Sequence, residues 1–401
     1  GIFFLLIKGL PERGRIFSAA SAWFFLEIIV AHFLTGFPWL PLGLSQYSSR
    51  WLLPVVSLVT VFGLSSLLMM FNLLLATGWT RHHLVSWSVI IPLTAALVFG
   101  GRAVNIEGTP AGWLRVLLLQ ENIASYNRLP PAEIFQSHYR TTITLLKEEP
   151  ADLVVWPESS FPDILDDHPE LMTQLRDLSQ RHHCALLLGG IGRQGQSLFN
   201  TAYLFSGENL QVYRKRHLVP YGEFILGGRY RLLRKIYSKL AGYQPQLQPG
   251  QEYTLFHFPV SSRREQARVN VLICFENIFP EISAEFVTRG SQACLVITND
   301  SWFLQSPGPY QHFAHNILRA TETGRYFAQT AITGITGVVS PEKGVSALIE
   351  SDRRLLFVRG HLRYTLPLLT GETPAGRCGY IPVLLLLLTV SGGILCRTRK
   401  G

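Results

Sequence analysis

Thirty consecutive residues, 51–80, contain no Asp, Glu, Lys or Arg. This stretch constrains the fold more than any other feature, because a helix that crosses a bilayer needs about 20 predominantly apolar residues. Residues 84–101 and 379–396 are equally free of those charges, and 16–37 carries one carboxylate, Glu27. Across all 401 residues, 47 % are hydrophobic and 16 % charged, against about 25 % charged in an ordinary soluble domain. The composition excludes a disordered chain. Four such segments together predict a membrane protein with a helical bundle.

The charge is unevenly placed. The net charge is +9, but residues 101–378 hold 28 Lys/Arg against 25 Asp/Glu. The remaining excess sits in the apolar ends, so the basic balance is no nucleic-acid footprint, and no nucleic-acid partner is expected. Lys8, Arg13 and Arg15 precede the first full span, Arg81 separates the second from the third, and Arg397, Arg399 and Lys400 follow the last. Threading the chain through four spans brings all three clusters to one face. By the positive-inside rule that face is cytoplasmic. Residues 102–378 then lie on the opposite, outer face. The expected organisation is transmembrane helices over 1–101, an extramembrane domain over 102–378, and a last transmembrane helix with a basic tail over 379–401. Residues 1–7 (GIFFLLI) read as the end of an apolar helix whose beginning is missing.

The middle region changes character. Short apolar runs at 114–119, 152–156, 184–189, 200–205, 269–273, 293–298, 335–340 and 354–358 are expected strands. Amphipathic stretches at 131–148, 168–182, 279–289 and 309–326 are expected helices. Such alternation predicts a layered α/β domain. Gly189-Gly190-Ile191-Gly192 lacks the lysine of a phosphate loop and reads as a turn. The five cysteines are too few and too scattered for a disulfide framework or a metal site. Cys184 and Cys294 are expected in strand cores, and Cys378 and Cys396 flank or lie in the last span. No cofactor or metal is expected.

Three polar clusters follow apolar strand runs: Glu158 after LVVWP, Cys274 after VNVLI, and Asn299-Asp300 after LVIT. In α/β folds, sites gather beyond the carboxyl ends of strands. A fourth cluster, YRKRHLVPYGE at 213–223, supplies Lys215 and Glu223. A thiol is a weak nucleophile until a base within hydrogen-bond reach takes its proton. A lysine beside it stabilises the thiolate and an oxyanion. Glu158, Lys215 and Cys274 can therefore form an acyl-transfer triad. A cysteine after a strand is also a common buried small hydrophobe, so residue types alone leave both readings open.

The motifs carry a resemblance. WPES (156–159), YRKRHLVPYGEF (213–224) and ICFE (273–276) resemble the three catalytic blocks of the nitrilase, or carbon–nitrogen hydrolase, superfamily. NDSWFLQSPGPYQHFAHNILRATETGR (299–325), TAITGITGVVSPEKG (330–344), AWFFLE (22–27) and LTGFPWLPLGLSQ (34–46) resemble blocks of its apolipoprotein N-acyltransferase family. The likeness runs from about residue 16 to 396. It implies a four-layer αββα sandwich domain inserted before the last transmembrane helix. It implies Glu158 as general base, Lys215 as oxyanion and thiolate stabiliser, and Cys274 as nucleophile. Glu223 would orient Lys215 or the acceptor amine, and Glu276 would hold the loop after the nucleophile. Phe275 and Trp302 would support the site. The implied reaction moves an acyl chain from a phospholipid donor through a cysteine thioester to the α-amine of a diacylated lipoprotein. The implied location is the bacterial inner membrane, with the catalytic domain periplasmic.

This chain departs from the family pattern at four places. Phe275 stands where a Tyr is usual, Leu304 where a Gly is usual, and Val30 where an Arg is usual. ENIASYNRLPP (121–131) lacks the usual Trp, with Tyr126 the nearest aromatic. Two other functions share these residues: a membrane-tethered amidase or nitrilase that passes its thioester to water, and a non-catalytic lipid- or lipoprotein-binding relative. Residues 229–241 (RYRLLRKIYSKLA) place Leu232, Leu233, Ile236, Tyr237 and Leu240 on one helical face among basic residues, as in helices that lie on membrane surfaces. Glu27, costly inside a span, is expected either near substrate or in a helix-packing hydrogen bond. His182 and His183 are expected to be solvated. His312 and His315 are expected to pack and cap a helix, and Trp39 to anchor at the interface.

Overall fold

The computed structural model describes residues 15–77, 81–104, 106–123, 129–227, 247–261 and 266–398, with Tyr230, Leu232, Lys235, Tyr237 and Lys239 between them. Tyr126 and most of the basic amphipathic segment 229–241, including Leu233, Ile236 and Leu240, lie outside the described residues.

Among the described residues, three helices are long and apolar enough to cross a membrane. They belong to α1 (Arg15–His32), α2 (Val56–Thr77, preceded by a short helical turn at Leu53–Val55) and α3 (Arg81–Ala103). The fourth expected span is helical over Ile381–Thr398. The first ends earlier than its apolar run, because Leu34 and Gly36 turn the backbone through positive φ (60° and 72°). The chain then doubles back as a loop, 34–46, over the extramembrane domain. Glu27 fastens this loop: its Oε1 accepts from Trp23 Nε1 at 2.9 Å and from the Leu42 backbone N–H at 2.8 Å. Of the two readings open for Glu27, the structure favours the structural hydrogen bond.

Helix α2 is broken at Thr60 (φ 63°, ψ 174°). The break frees the Val61 N–H, which donates to Glu322 Oε1 at 2.6 Å. Glu322 lies on a helix of the extramembrane domain and pairs with Arg319 at 2.7 Å. A buried carboxylate thus replaces the carbonyl that a continuous helix would have offered.

The extramembrane region is built on two sheets. The first has the order β13-β1-β2-β4-β5-β6, with β3 also paired to β4. Its strands are β1 (Thr109–Gln120), β2 (Leu153–Val155), β3 (Phe161–Ile164), β4 (Ala185–Gln194), β5 (Ser197–Ser206), β6 (Asn209–Arg214) and β13 (Gly360–Thr370). The second has the order β12-β11-β10-β9-β8-β7. It comprises β7 (Phe256–Phe258), β8 (Ala267–Ile273), β9 (Ala293–Thr298), β10 (Phe327–Ala331), β11 (Gly337–Ser340) and β12 (Gly344–Leu348).

The layering follows from the two-residue period of strands. In β1, Leu117 and Leu119 pack outward with Phe135, Leu145 and Leu146 of α4 (Pro131–Glu148) and Leu175 of α5 (Pro169–His182). Their alternates Val116 and Leu118 face the second sheet, in one cluster with Val269, Val271 and Ile273 of β8. The outer face of the second sheet is covered by α6 (Pro280–Thr288) and α7 (Gly308–Thr323). Helix α7 is buried along almost its whole length. Phe313 and Ile317 share a core with Val55, Val56, Val61 and Leu64 of the membrane part. The result is an αββα arrangement whose fourth layer is wedged against the spans.

Two local expectations are corrected. The apolar run 354–358 is no strand; it sits among turns with positive φ at Asp352, Arg353 and Phe357. The strand is instead β13, whose residues pair antiparallel along almost all of β1. Apolar content marked 354–358, but the free edge of β1 selects the more mixed 360–370. Likewise Gly189-Gly190-Ile191-Gly192 is no turn but the middle of β4. A Cβ on Gly189 would lie 2.6 Å from Glu158 Cα. The glycine is there for close approach of the Glu158 backbone. Cys184 is buried but precedes β4, while Cys294 lies inside β9.

Candidate active site

The parallel strands of both sheets end at one place. β2 delivers Trp156-Pro157-Glu158, β8 delivers Cys274, and β9 delivers Asn299 and Asp300. Strand β6 runs directly into Lys215. The sequence-predicted Glu158, Lys215, Cys274, Glu223 and Glu276 are brought together here.

Lys215 is almost fully buried. Its Nζ lies 3.0 Å from Glu223 Oε2, 3.1 Å from Glu223 Oε1 and 3.6 Å from Glu158 Oε1. Burial works against its charge, but the Glu223 and Glu158 carboxylates outweigh it and hold the ammonium well above the usual lysine range. Asn200 ties the two carboxylates together, its Nδ2 donating to Glu158 Oε1 at 2.7 Å and to Glu223 Oε1 at 2.6 Å. Glu158 Oε2 accepts from the Asn299 N–H at 2.8 Å, and Glu223 Oε2 from the Val219 N–H at 2.7 Å. Both oxygens of Glu223 are thus committed to Lys215 and its scaffold.

Cys274 opens a short helical turn (Cys274–Ile278) and has φ 52°. This left-handed conformation is strained for a residue with a side chain, and such strain gathers at reactive positions. Burial and the Glu158 charge push the thiol well above its ordinary pKa, with Lys215 pulling the other way. The resting sulfur is therefore a neutral thiol at pH 7. To act as a nucleophile, such a thiol needs a base at the moment of attack.

Glu276 bridges two loops. Its Oε1 accepts from Tyr213 Oη at 2.8 Å, Arg216 N at 2.8 Å and His217 N at 3.2 Å, and its Oε2 from Ile273 N at 2.8 Å. The Lys215 loop and the Cys274 turn are fixed to each other through one buried carboxylate. Burial raises its pKa despite these donors.

His312 lies closer to the chemistry than the packing and capping role expected of it. Its Nδ1 lies 2.8 Å from Asp300 Oδ1, and its Nε2 lies 3.2 Å from the Cys274 carbonyl oxygen. Burial lowers its proton affinity, yet the Asp300 charge prevails and raises it. Ligand atoms of Cys274, Asp300 and His312 all fall within 4.8 Å of one another. That donor set could by type hold a metal, but both imidazole nitrogens are already engaged. The group fits as a brace on the Cys274 turn. His315 is buried, bonded to the Trp39 carbonyl oxygen at 2.9 Å, and its pKa is pushed down by burial to about 3.

The membrane part supplies a wall of the site. Trp39 is no free interfacial anchor: its ring stacks on Phe37 at 5.9 Å and lies 5.3 Å from Phe303 and 5.7 Å from His312. Its Nε1 donates to Gln311 Oε1 at 2.8 Å. Phe275 is buried beneath, 5.5 Å from Phe37, 6.5 Å from Trp39 and 5.2 Å from Phe279. Its surroundings are ring faces, which suits a residue without a hydroxyl. Trp302 is 69 % exposed on the turn Asp300–Phe303. The next residue, Leu304, has φ 50° and ψ −137°, a region that favours glycine. Val30 lies half-exposed on α1.

Asn200, Trp39 and Gly189 were not singled out as site residues by sequence reasoning. Asn200 left one signal: a polar residue inside the apolar run of β5. Trp39 left none beyond its place after a span.

A model of the carbon–nitrogen hydrolase family matches residues 115–361, and one of the apolipoprotein N-acyltransferase N-terminal domain matches residues 1–74. An apolipoprotein N-acyltransferase of Geobacter metallireducens is 29 % identical over 398 residues, covering 92 % of this chain and 71 % of that one. One from Rhodopseudomonas palustris is 30 % identical over 416 residues, covering 97 % and 75 %. Among solved structures, an amidase from Nesterenkonia sp. aligns with a TM-score of 0.48 at 18 % identity, over 69 % of this chain and 97 % of that one. The chain belongs to the carbon–nitrogen hydrolase family, and within it to the apolipoprotein N-acyltransferases.

Proposed function

We propose that the protein transfers a fatty acyl chain from a phospholipid, through a thioester on Cys274, to the α-amine of the N-terminal diacylglyceryl-cysteine of a lipoprotein. The observation that carries this reading is the convergence of Glu158, Lys215 and a strained Cys274 beneath an aromatic wall contributed by the loop between two spans. A lipid ester can reach the half-buried Cys274 thiol where membrane and catalytic layers touch.

In the first half-reaction, Glu158 takes the Sγ proton as the sulfur attacks the ester carbonyl. Lys215 stabilises the resulting oxyanion. Collapse breaks the ester C–O bond, and Glu158 returns the proton to the departing lysophospholipid oxygen. In the second, the neutral α-amine attacks the thioester carbonyl and gives its proton to Glu158. The C–S bond breaks, and the proton passes to the leaving sulfur. An α-amine with a pKa near 8 keeps a useful neutral fraction at pH 7. Glu223 and Glu276 act on position: the first holds Lys215, the second joins the lysine loop to the nucleophile turn. Phe275 packs under the aromatic wall, and Trp302 flanks its rim.

In this account residues 1–101 and 379–401 anchor the chain in the bacterial inner membrane, and 102–378 form the catalytic domain on its periplasmic face. The test is an incubation of the purified protein with phospholipid and a synthetic diacylglyceryl-cysteine peptide. The expected product carries one added acyl group in amide linkage at the α-amine. Release of free fatty acid with the peptide unchanged would instead assign hydrolysis.

A further inference from the structure

A cavity lined by none of the triad residues lies where two spans meet the extramembrane layers. It encloses about 830 Å³ between the 47–54 segment, the end of α3, and the turn joining β11 to β12. Pockets of this size accept small organic ligands. Gly101 keeps its walls close: a Cβ there would lie 2.6 Å from the Pro54 carbonyl oxygen.

Three cations line it: Arg50, Arg102 and Lys343. Among the described residues none of them forms an ion pair. The Arg102 guanidinium lies 4.6 Å above the Trp51 ring, a cation–π contact that fixes the side chain without neutralising it. Two carboxylates also line the cavity. Glu107 is occupied by Tyr326 Oη at 3.2 Å and Ser340 Oγ at 3.3 Å, and Glu342 is exposed on the β11–β12 turn. Ser48 and Ser49 add hydroxyl donors.

The location narrows the ligand. Arg50 precedes α2 and Arg102 ends α3, so both stand where the chain leaves the hydrocarbon. Tyr47 and Trp51 beside them are exposed aromatics, as at membrane–water boundaries. Positive residues at span ends on the face bearing the catalytic domain run against the usual loop-charge bias, which points to a local task for them.

We infer that this cavity binds the phosphate of a phospholipid headgroup, at a site separate from the catalytic centre. The shared chemistry is a phosphate anion held by two guanidiniums and an ammonium; the membrane boundary makes the lipid its source. The inference goes beyond the acyl-transfer reading, and its readout is binding.

The experiment uses the full chain carrying Cys274→Ala, in a neutral detergent. Dioctanoyl phosphatidylglycerol, glycerol phosphate and inorganic phosphate are titrated separately. Binding is read by native mass spectrometry and by hydrogen exchange of the 342–345 backbone amides. The short-chain phospholipid is expected to protect those amides. The triple variant Arg50→Gln/Arg102→Gln/Lys343→Gln is expected to weaken that protection about 100-fold, from about fivefold per cation near a lipid headgroup. Arg50→Lys/Arg102→Lys/Lys343→Arg, which keeps every charge and is equally exposed, is expected to retain most of it. Protection unchanged within threefold in the glutamine variant would overturn the inference. Equal binding of glycerol phosphate or inorganic phosphate would overturn the lipid as the source.

Discussion

Replacing Glu223 by Gln changes one atom type at the centre of the site, and its cost can be worked from the contacts. Glu223 Oε1 accepts from Lys215 Nζ at 3.1 Å and Asn200 Nδ2 at 2.6 Å; Oε2 accepts from Val219 N at 2.7 Å and lies 3.0 Å from the same ammonium. A glutamine offers one oxygen and one NH2. Whichever way the amide turns, a donor faces a donor. A hydrogen bond to a charged group contributes about 1.5–3 kcal/mol, and about 1.4 kcal/mol is tenfold in rate. Glu223→Gln should therefore slow catalysis by about 10- to 150-fold. In the proposed mechanism Lys215 serves the oxyanion in both half-reactions, so rapid-quench intact mass should show thioester formation and acyl transfer slowed by similar factors. The variant also removes one of the charges that hold Lys215 protonated, so the alkaline fall in activity should move to lower pH. Both steps within twofold of the parent would refute the reasoning. A loss confined to transfer would assign Glu223 to the acceptor amine.

Two further predictions rest on conformation and burial. Leu304 is 69 % exposed yet holds a backbone conformation that favours glycine, a strain of about 1–3 kcal/mol; thermal denaturation in detergent should show Leu304→Gly melting higher, by about 1–3 °C once glycine's greater unfolded freedom is subtracted. Burial lowers the pKa of His217 to about 4 and of His315 to about 3, from 6.5 in the free side chain. The unfolded chain protonates these groups first, so their stabilisation is complete above about pH 6.5 and falls as pH drops. Between pH 7 and 5 each should lose about 2 kcal/mol, and denaturant melts of His217→Gln should show the acid loss shrinking by that amount.

Much of the site was legible because catalysis demands particular residue types at strand ends. Glu158 after β2 and Cys274 after β8 could be placed before the sheets were known, since apolar runs announce strands and polar residues just beyond them announce a site. Lys215 and Glu223 were marked by one compact loop. What was not legible depends on contacts between distant segments. Trp39 touches Phe303, His312 and Gln311, more than 260 positions away, and nothing local marks such a contact. The sequence around His312 suggests packing alone, because its partner Asp300 sits twelve residues off. Glycine usually marks a turn, but Gly189 makes room for a backbone. The edge strand β13 was missed because pairing with β1, not apolar content, selects its residues.

The central claim is that Cys274 carries the acyl group. Intact mass of the purified protein after incubation with phospholipid tests it most directly, with Cys274→Ala as the comparison. The account predicts one fatty-acyl increment on the parent, released by neutral hydroxylamine as a thioester is, and none on the variant. No increment on a folded parent, or an equal increment on Cys274→Ala, would contradict it.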